Sequence, residues 1–283
     1  MPEFIDAHGI AIVYDVYPAR TTPRAVVQLV HGLGEHAGRY SALIDALTAD
    51  GFAVYANDHR GHGRTGMAHH GNDSTKLGRP GPGGFRAAVA AVWQMTELIR
   101  EENPELPLVL LGHSGGSFIA QILLNAHPSA YDALALSGSA LRLPGSLHAG
   151  RLNARWQTAE AMGTEWLASD LGVGRAFLED PLTTVTPAAQ LFTLRDQLRF
   201  YGRPRRNLGH DIPVLLMVGR DDPVGGPQSV HRLADSYRTR SGLTDVTTLV
   251  YPGARHEVFN EVQQKDVRGD LLAWLDRRFA VRD

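Results

Sequence analysis

The chain contains no cysteine. That one absence removes disulfides, thiolate metal sites and a cysteine nucleophile together. Long apolar runs are missing too, and no stretch approaches the ~18 uninterrupted apolar residues of a transmembrane helix. Nor is there an excess of one charge. The 28 Lys and Arg against 30 Asp and Glu leave a formal net charge of −2, which gives no electrostatic reason to expect a nucleic-acid or anionic-membrane partner. The N-terminus, Met1-Pro2-Glu3-Phe4-Ile5-Asp6, lacks the basic start and apolar run of a signal peptide. The expectation is therefore a cytoplasmic protein with no integral membrane segment.

What is present is ordinary for a globular enzyme: 43% hydrophobic and 20% charged residues over 283 positions. That length suits one large domain with an insertion, or two modest domains. The 30 glycines gather locally, around positions 61–71, 78–84 and 112–116. Such clusters fit backbone turns around a site better than linkers.

Short β-branched runs alternate with longer helical patterns, the signature of an α/β protein with a mostly parallel sheet wrapped by helices. Residues 4–7 and 10–17, broken at Gly9, predict an opening antiparallel hairpin. Strands are expected over 25–30, 52–56, 107–111, 131–136, 213–218 and 246–251. Helices are expected over 40–50 (closed by Gly51), 85–102, 117–126, beyond Gln228, and 258–279. The glycine- and histidine-rich stretch after residue 56 reads as a loop. From 141 to 206 the alternation stops, and Trp156, Met162, Trp166, Leu167, Phe177, Leu191, Phe192 and Phe200 fall in helical patterns. The expected organisation is one α/β core, 1–140 and 207–283, interrupted by a helical insertion, 141–206, far longer than an ordinary loop.

Gly112-His113-Ser114-Gly115-Gly116 fits G-x-S-x-G where a strand meets a helix. A serine on that turn is forced into a strained conformation with its hydroxyl exposed, and side chains at the flanking glycines would collide with neighbouring backbone. A hydroxyl is a poor nucleophile until a base takes its proton, and the base needs a third group to hold its tautomer. In this fold the chain order is serine, acid, histidine. The strand at 213–218 ends in Gly219-Arg220-Asp221-Asp222-Pro223, and the next ends in Gly253-Ala254-Arg255-His256-Glu257. Both ends lie at the sheet edge where α/β sites form. Ser114 as nucleophile, Asp222 in preference to Asp221 as acid, and His256 as base follow. The oxyanion donors are expected to be the backbone N–H groups of Gly115 and of Leu33, in the loop His31-Gly32-Leu33-Gly34.

These residues carry a resemblance. His31-Gly32-Leu33-Gly34-Glu35-His36-Ala37-Gly38-Arg39-Tyr40 resembles the oxyanion loop of the monoacylglycerol lipase and lysophospholipase branch of α/β-hydrolases, also grouped with serine aminopeptidases. Asp58-His59-Arg60-Gly61-His62-Gly63-Arg64 resembles that branch's loop after the fourth strand, and the segments around Ser114, Asp222 and His256 match its remaining motifs. The resemblance spans about 10–140 and 210–280. It implies an α/β-hydrolase fold with a central sheet covered on both faces, a helical cap inserted after the sixth strand, and the same triad and oxyanion donors. One departure is plain: where the family reads Gly-His-Ser-Met-Gly-Gly, this chain has Gly115 for the methionine and Ser117 for the last glycine. The lost side chain is expected to widen the pocket beside the nucleophile.

His59, His62, His69 and His70 crowd one loop but lack the carboxylate or thiolate spacing of a zinc site, so no metal is expected. The glycines at 81–84 lack the lysine and hydroxyl of a phosphate loop, and read as a helix lead-in. No cofactor is implied. The leading expectation is a serine esterase acting through an acyl-enzyme on small or single-chain lipid esters. An aminopeptidase or amidase with the same triad would need a carboxylate in the insertion, and Glu160, Glu165, Asp170, Glu179 and Asp180 are available. A non-hydrolytic ligand-binding protein on the same scaffold is the third reading.

Overall fold

The computed structural model describes residues 1–147 and 151–280. Residues 148–150 of the expected insertion and 281–283 of the expected core lie outside the described residues.

Eight strands form one sheet in the order β1-β2-β4-β3-β5-β6-β7-β8. They are β1 (Glu3–Ile5), β2 (Ala11–Tyr17), β3 (Ala25–Val30), β4 (Phe52–Asn57), β5 (Leu108–His113), β6 (Ala133–Ser137), β7 (Val214–Gly219) and β8 (Val246–Tyr251). The first two form the expected hairpin, β2 joins β4 antiparallel, and every later pairing is parallel. The apolar runs are continuous because the central strands are buried on both faces; β3, β4, β5, β6 and β7 have no exposed residue.

Alternate strand residues feed two cores. Val26, Val30, Leu108 and Leu110 pack with α3 (Gly84–Glu102), α4 (Ser114–Ala126) and α8 (Gly226–Ser236), for which α1 (Ser41–Ala49), α2 (Gly63–His69), α5 (Leu171–Glu179), α6 (Ala188–Leu191) and α7 (Leu194–Arg199) complete the numbering. Val27, Leu29, Val109 and Leu111 face α1 and α9 (Gln264–Asp276), where Leu43, Leu47, Leu271 and Trp274 are almost completely buried. The period of two along the strands thus sets which helix lies on which side.

Two expectations need correction. The stretch after β4 is not all loop, since α2 forms within it. A Cβ at Gly66 would fall 2.5 Å from the backbone of Gly61, so that glycine serves close packing of a helix on its own lead-in. The segment between β6 and β7 is less helical than expected. Trp156 lies in a 3-10 turn, Met162, Trp166 and Leu167 are non-helical, and α5, α6 and α7 are short. Gly163, Pro181 and Pro187 interrupt the apolar periodicity. The lead-in glycines do what the pattern predicts, and Asp196 of α7 completes the start of α3. Its Oδ1 accepts the Phe85 N–H at 3.2 Å, in the space a side chain at Gly84 would fill.

Candidate active site

Strand β5 turns into α4 with no intervening loop, so the helix begins at Ser114 itself rather than near Ser117. Ser114 pays for this with φ +50°, a left-handed conformation costing a non-glycine residue about 1–3 kcal/mol. The turn is tight because α4 starts against β3: a Cβ at Gly116 would lie 2.1 Å from the Val30 carbonyl oxygen. Ser117 is accommodated where the family pattern has glycine. Its hydroxyl donates to the Ser114 carbonyl oxygen (2.6 Å) and lies 2.8 Å from Ser139 Oγ.

The loop after β3 lies against this turn. The Cβ position of Gly115 is 3.1 Å from Leu33 N, and that of Gly32 is 3.1 Å from Ser114 Cβ. Gly115 and Leu33, the residues expected to supply the two oxyanion donors, are thus packed against each other. At Gly115 itself Leu33 packs close to the position a Cβ would take, and Gly115 lines the cavity described below.

From the far side of the sheet edge, Asp222 Oδ1 meets His256 Nδ1 at 2.9 Å and also accepts the Val224 N–H at 2.8 Å. Both side chains are buried. Asp221 turns away and pairs with Arg155 at 2.6 Å, so it is Asp222 that faces the histidine. His256 Nε2 is buried and has no hydrogen-bond partner among the described residues. Burial disfavours the imidazolium. The charge and hydrogen bond of Asp222, with Glu257 and Glu35 adding to them, outweigh that and raise the His256 pKa above 6.5. The neighbouring His113 is pushed the other way, to about 4, by burial and by His256.

Beneath both loops lies a network that sequence reasoning missed. Glu35 Oε1 accepts from the Gly32 N–H and from the Tyr40 hydroxyl, both at 2.6 Å. Arg39 donates to Glu35 Oε2 at 2.8 Å and grips Glu257 with both terminal nitrogens, at 2.7 and 2.8 Å. One guanidinium therefore joins the loop holding Leu33 to the loop holding His256. The Glu35–Arg39 spacing of four was visible in the motif; Glu257, 218 residues away from Arg39, was not.

The crowded histidines fall into two groups, His59 and His62 beside His31, and His69 against His70. His31 and His59 stack with centroids 3.8 Å apart, and the His59 N–H donates to His31 Nε2 at 2.9 Å, locking the loops after β3 and β4 together. Burial keeps both imidazoles neutral by lowering their pKa values. Among the described residues no group of three or more His, Asp or Glu side chains is arranged to hold a metal ion.

Ser114 and His256 open onto a cavity of about 730 Å³, within the range of small-molecule sites. Its wall is largely apolar and includes Phe118 from the core and Leu152, Phe177, Val185, Phe192 and Phe200 from the 141–206 segment. That segment is tied to the loop after β3 at two points: the Thr184 N–H donates to the Gly34 carbonyl oxygen at 2.8 Å, and Asp180 Oδ2 lies 2.8 Å from His36 Nε2. The acids that an amine-binding site would need are not on the cavity wall. Glu165 accepts from Asn153, Met162 and Gly163, and Asp170 caps α5. The carboxylates that do reach the wall, Glu35 and Glu257, are the two held by Arg39.

With this geometry in place, residues 21–263 match the family described as serine aminopeptidase, S33. A monoacylglycerol lipase of Mycolicibacterium smegmatis is 33% identical, over 96% of this chain and 95% of its own length. A monoglyceride lipase of Mus musculus is 26% identical over 99% and 92%. Among solved structures, a highly thermostable carboxyl esterase from Bacillus coagulans, in complex with glycerol, superposes with a TM-score of 0.82 at 25% identity, covering 99% of this chain and 98% of its own.

Proposed function

This chain belongs to the serine aminopeptidase, S33 family of α/β-hydrolases, and from that premise we propose that it hydrolyses single-chain lipid esters of the monoacylglycerol type, with Ser114, His256 and Asp222 as its triad. The observation that carries this reading is convergence. The strained serine, the buried His256–Asp222 pair and the adjacent residues Leu33 and Gly115 meet at one apolar cavity.

His256 Nε2 takes the proton as Ser114 Oγ attacks the ester carbonyl carbon. The carbonyl oxygen becomes an oxyanion and receives the Leu33 and Gly115 N–H groups. Asp222, bonded to Nδ1, holds the tautomer and stabilises the imidazolium. The imidazolium then gives its proton to the departing alcohol as the C–O bond breaks, leaving an acyl-serine. Water attacks that ester as His256 takes its proton, and the fatty acid leaves as the imidazolium passes that proton to Ser114 Oγ. The segment 141–206 serves as the cap whose Phe177, Val185, Phe192 and Phe200 form the wall for the acyl chain.

The amine-recognising alternative lacks a free carboxylate at the wall, and a receptor role leaves the His256–Asp222 pair without a use. The test is initial rates on p-nitrophenyl esters from acetate to palmitate, on a monoacylglycerol, and on aminoacyl p-nitroanilides. Turnover of medium- or long-chain esters that disappears in Ser114→Ala is expected. Aminoacyl anilide turnover exceeding ester turnover, or a Ser114→Ala variant retaining substantial activity, overturns the proposal.

A further inference from the structure

The imidazole of His256 contacts two other aromatic rings. One is His113, at the end of β5, with centroids 4.8 Å apart. The other is Trp166, whose ring lies 4.9 Å away at 38° and belongs to the 141–206 segment.

Trp166 is held there by a set of bonds to the residues on either side of His256. The Arg255 guanidinium donates to the carbonyl oxygens of Glu165 and of Ala168, the latter at 3.0 Å, and packs over the Trp156 ring at 4.6 Å. The Glu257 N–H donates to the Leu167 carbonyl oxygen at 2.7 Å. Glu261 Oε1 accepts from the N–H groups of both Arg255 (2.6 Å) and Ser169 (2.9 Å). Residues 165–169 and 255–257 thus form one bonded unit, with a half-buried indole on the imidazole and on the cavity wall.

We propose that Trp166 is a positioning residue for the base: its indole holds the His256 ring in one orientation and stabilises the imidazolium formed when Ser114 gives up its proton. The proposal rests on His256 being that base. An aromatic ring attracts a cation through its quadrupole, and more strongly where water is excluded. The other charged or titratable groups facing His256 are Asp222 after β7, His113 at the end of β5, Glu35 after β3, and Glu257 on its own loop, with Arg39 between the two glutamates. Trp166 adds to their field without a charge, from an element the core does not contain.

The test compares Trp166→Leu, which is apolar without a ring face, with Trp166→Phe, which keeps one. Trp166→Met repeats the first should leucine not fold, and thermal melts accompany all three. Trp166→Leu is expected to lower kcat by between about 2- and 30-fold, with KM within about 3-fold, the span of a partly desolvated cation–π contact. It should also move the acid limb of the kcat/KM profile to lower pH, by between about 0.3 and 1.5 pH units. Trp166→Phe should recover most of both. The same shift should appear in the NMR titration of His256 in a Ser114→Ala background, which needs no turnover. A Ser114→Ala variant with full activity would sink the underlying assignment. An unmoved titration midpoint in Trp166→Leu, or a Trp166→Phe variant as impaired as Trp166→Leu, overturns the role of Trp166 alone.

Discussion

Replacing Arg39 by methionine keeps most of the side chain's bulk but leaves two buried carboxylates without their cation. Glu35 and Glu257 have side chains only 3% and 4% exposed, and Arg39 itself is 10% exposed. Breaking a buried ion pair by removing one partner costs about 3–5 kcal/mol, because the remaining charge stays buried without its counter-charge. At about 2.1 cal/mol/K of unfolding entropy per residue, the 283-residue chain has roughly 0.6 kcal/mol/K, so the loss corresponds to a melting temperature lower by about 5–8 °C near pH 7.5.

The pH dependence is sharper than the size. In the native protein burial works to raise the Glu257 pKa, but the Arg39 charge and hydrogen bonds, with smaller help from His113 and Asn260, hold it below 4.5. A depressed carboxylate contributes stability that is present above 4.5 and is lost as pH falls through its folded pKa. Without Arg39 the burial effect is left unopposed, and the folded pKa of Glu257 moves above 4.5. The variant is then penalised above that raised value, and the penalty fades as the carboxyl protonates. Circular-dichroism melts of both proteins from pH 4.5 to 8 should show a gap that is widest at the alkaline end and closes toward pH 4.5. A gap that is constant with pH, or below about 2 °C at pH 7.5, would refute the reasoning, as the two carboxylates would then not depend on Arg39.

Three further outcomes follow from the site and its surroundings. Asp222→Asn should leave the fold intact and lower kcat by about 10⁴-fold, because an amide no longer selects the His256 tautomer; single-turnover rates on a p-nitrophenyl ester report it. His256 must be neutral to act as base, and its pKa is raised, so kcat/KM should fall to half above pH 6.5 and keep falling as pH drops; Glu257→Gln should move that limb to lower pH, and a limb that starts below 6.5 contradicts the electrostatic account. Asp196→Ala should cost about 0.5–2 kcal/mol by leaving the Phe85 N–H without its acceptor, read as a lower urea midpoint with an unchanged slope.

The fold was legible where burial forces a simple pattern. Strands such as Leu108–His113 and Val214–Gly219, buried on both sides, have little choice but unbroken apolar sequence. Of the proposed triad, Ser114 and Asp222 could be picked out because each follows such a strand, and His256 because it follows the half-buried edge strand Val246–Tyr251. The 141–206 segment has no such grammar. Its apolar residues face a cavity and two loops rather than a helix stripe, and a spacing of three or four therefore implied more helix than exists. Helix α2 was hidden for the opposite reason: Gly63 and Gly66 suggested the turns of a loop where contact required small residues. Trp166 and Glu257 acquire their surroundings from partners far along the chain, and no local window holds that information.

Asp196 has a consequence for recombination among relatives. It belongs to the segment between β6 and β7, yet its carboxylate sits on the first turn of α3, over Gly84. A chimera that exchanges 141–206 for the corresponding stretch of another hydrolase severs this pair. The recipient core would keep a glycine whose space nothing fills and a helix start that nothing caps. An incoming aspartate, placed over a residue with a side chain, would collide with it. A cut at the expected 141–206 bounds thus breaks this contact, and Gly84 has to travel with the segment it serves.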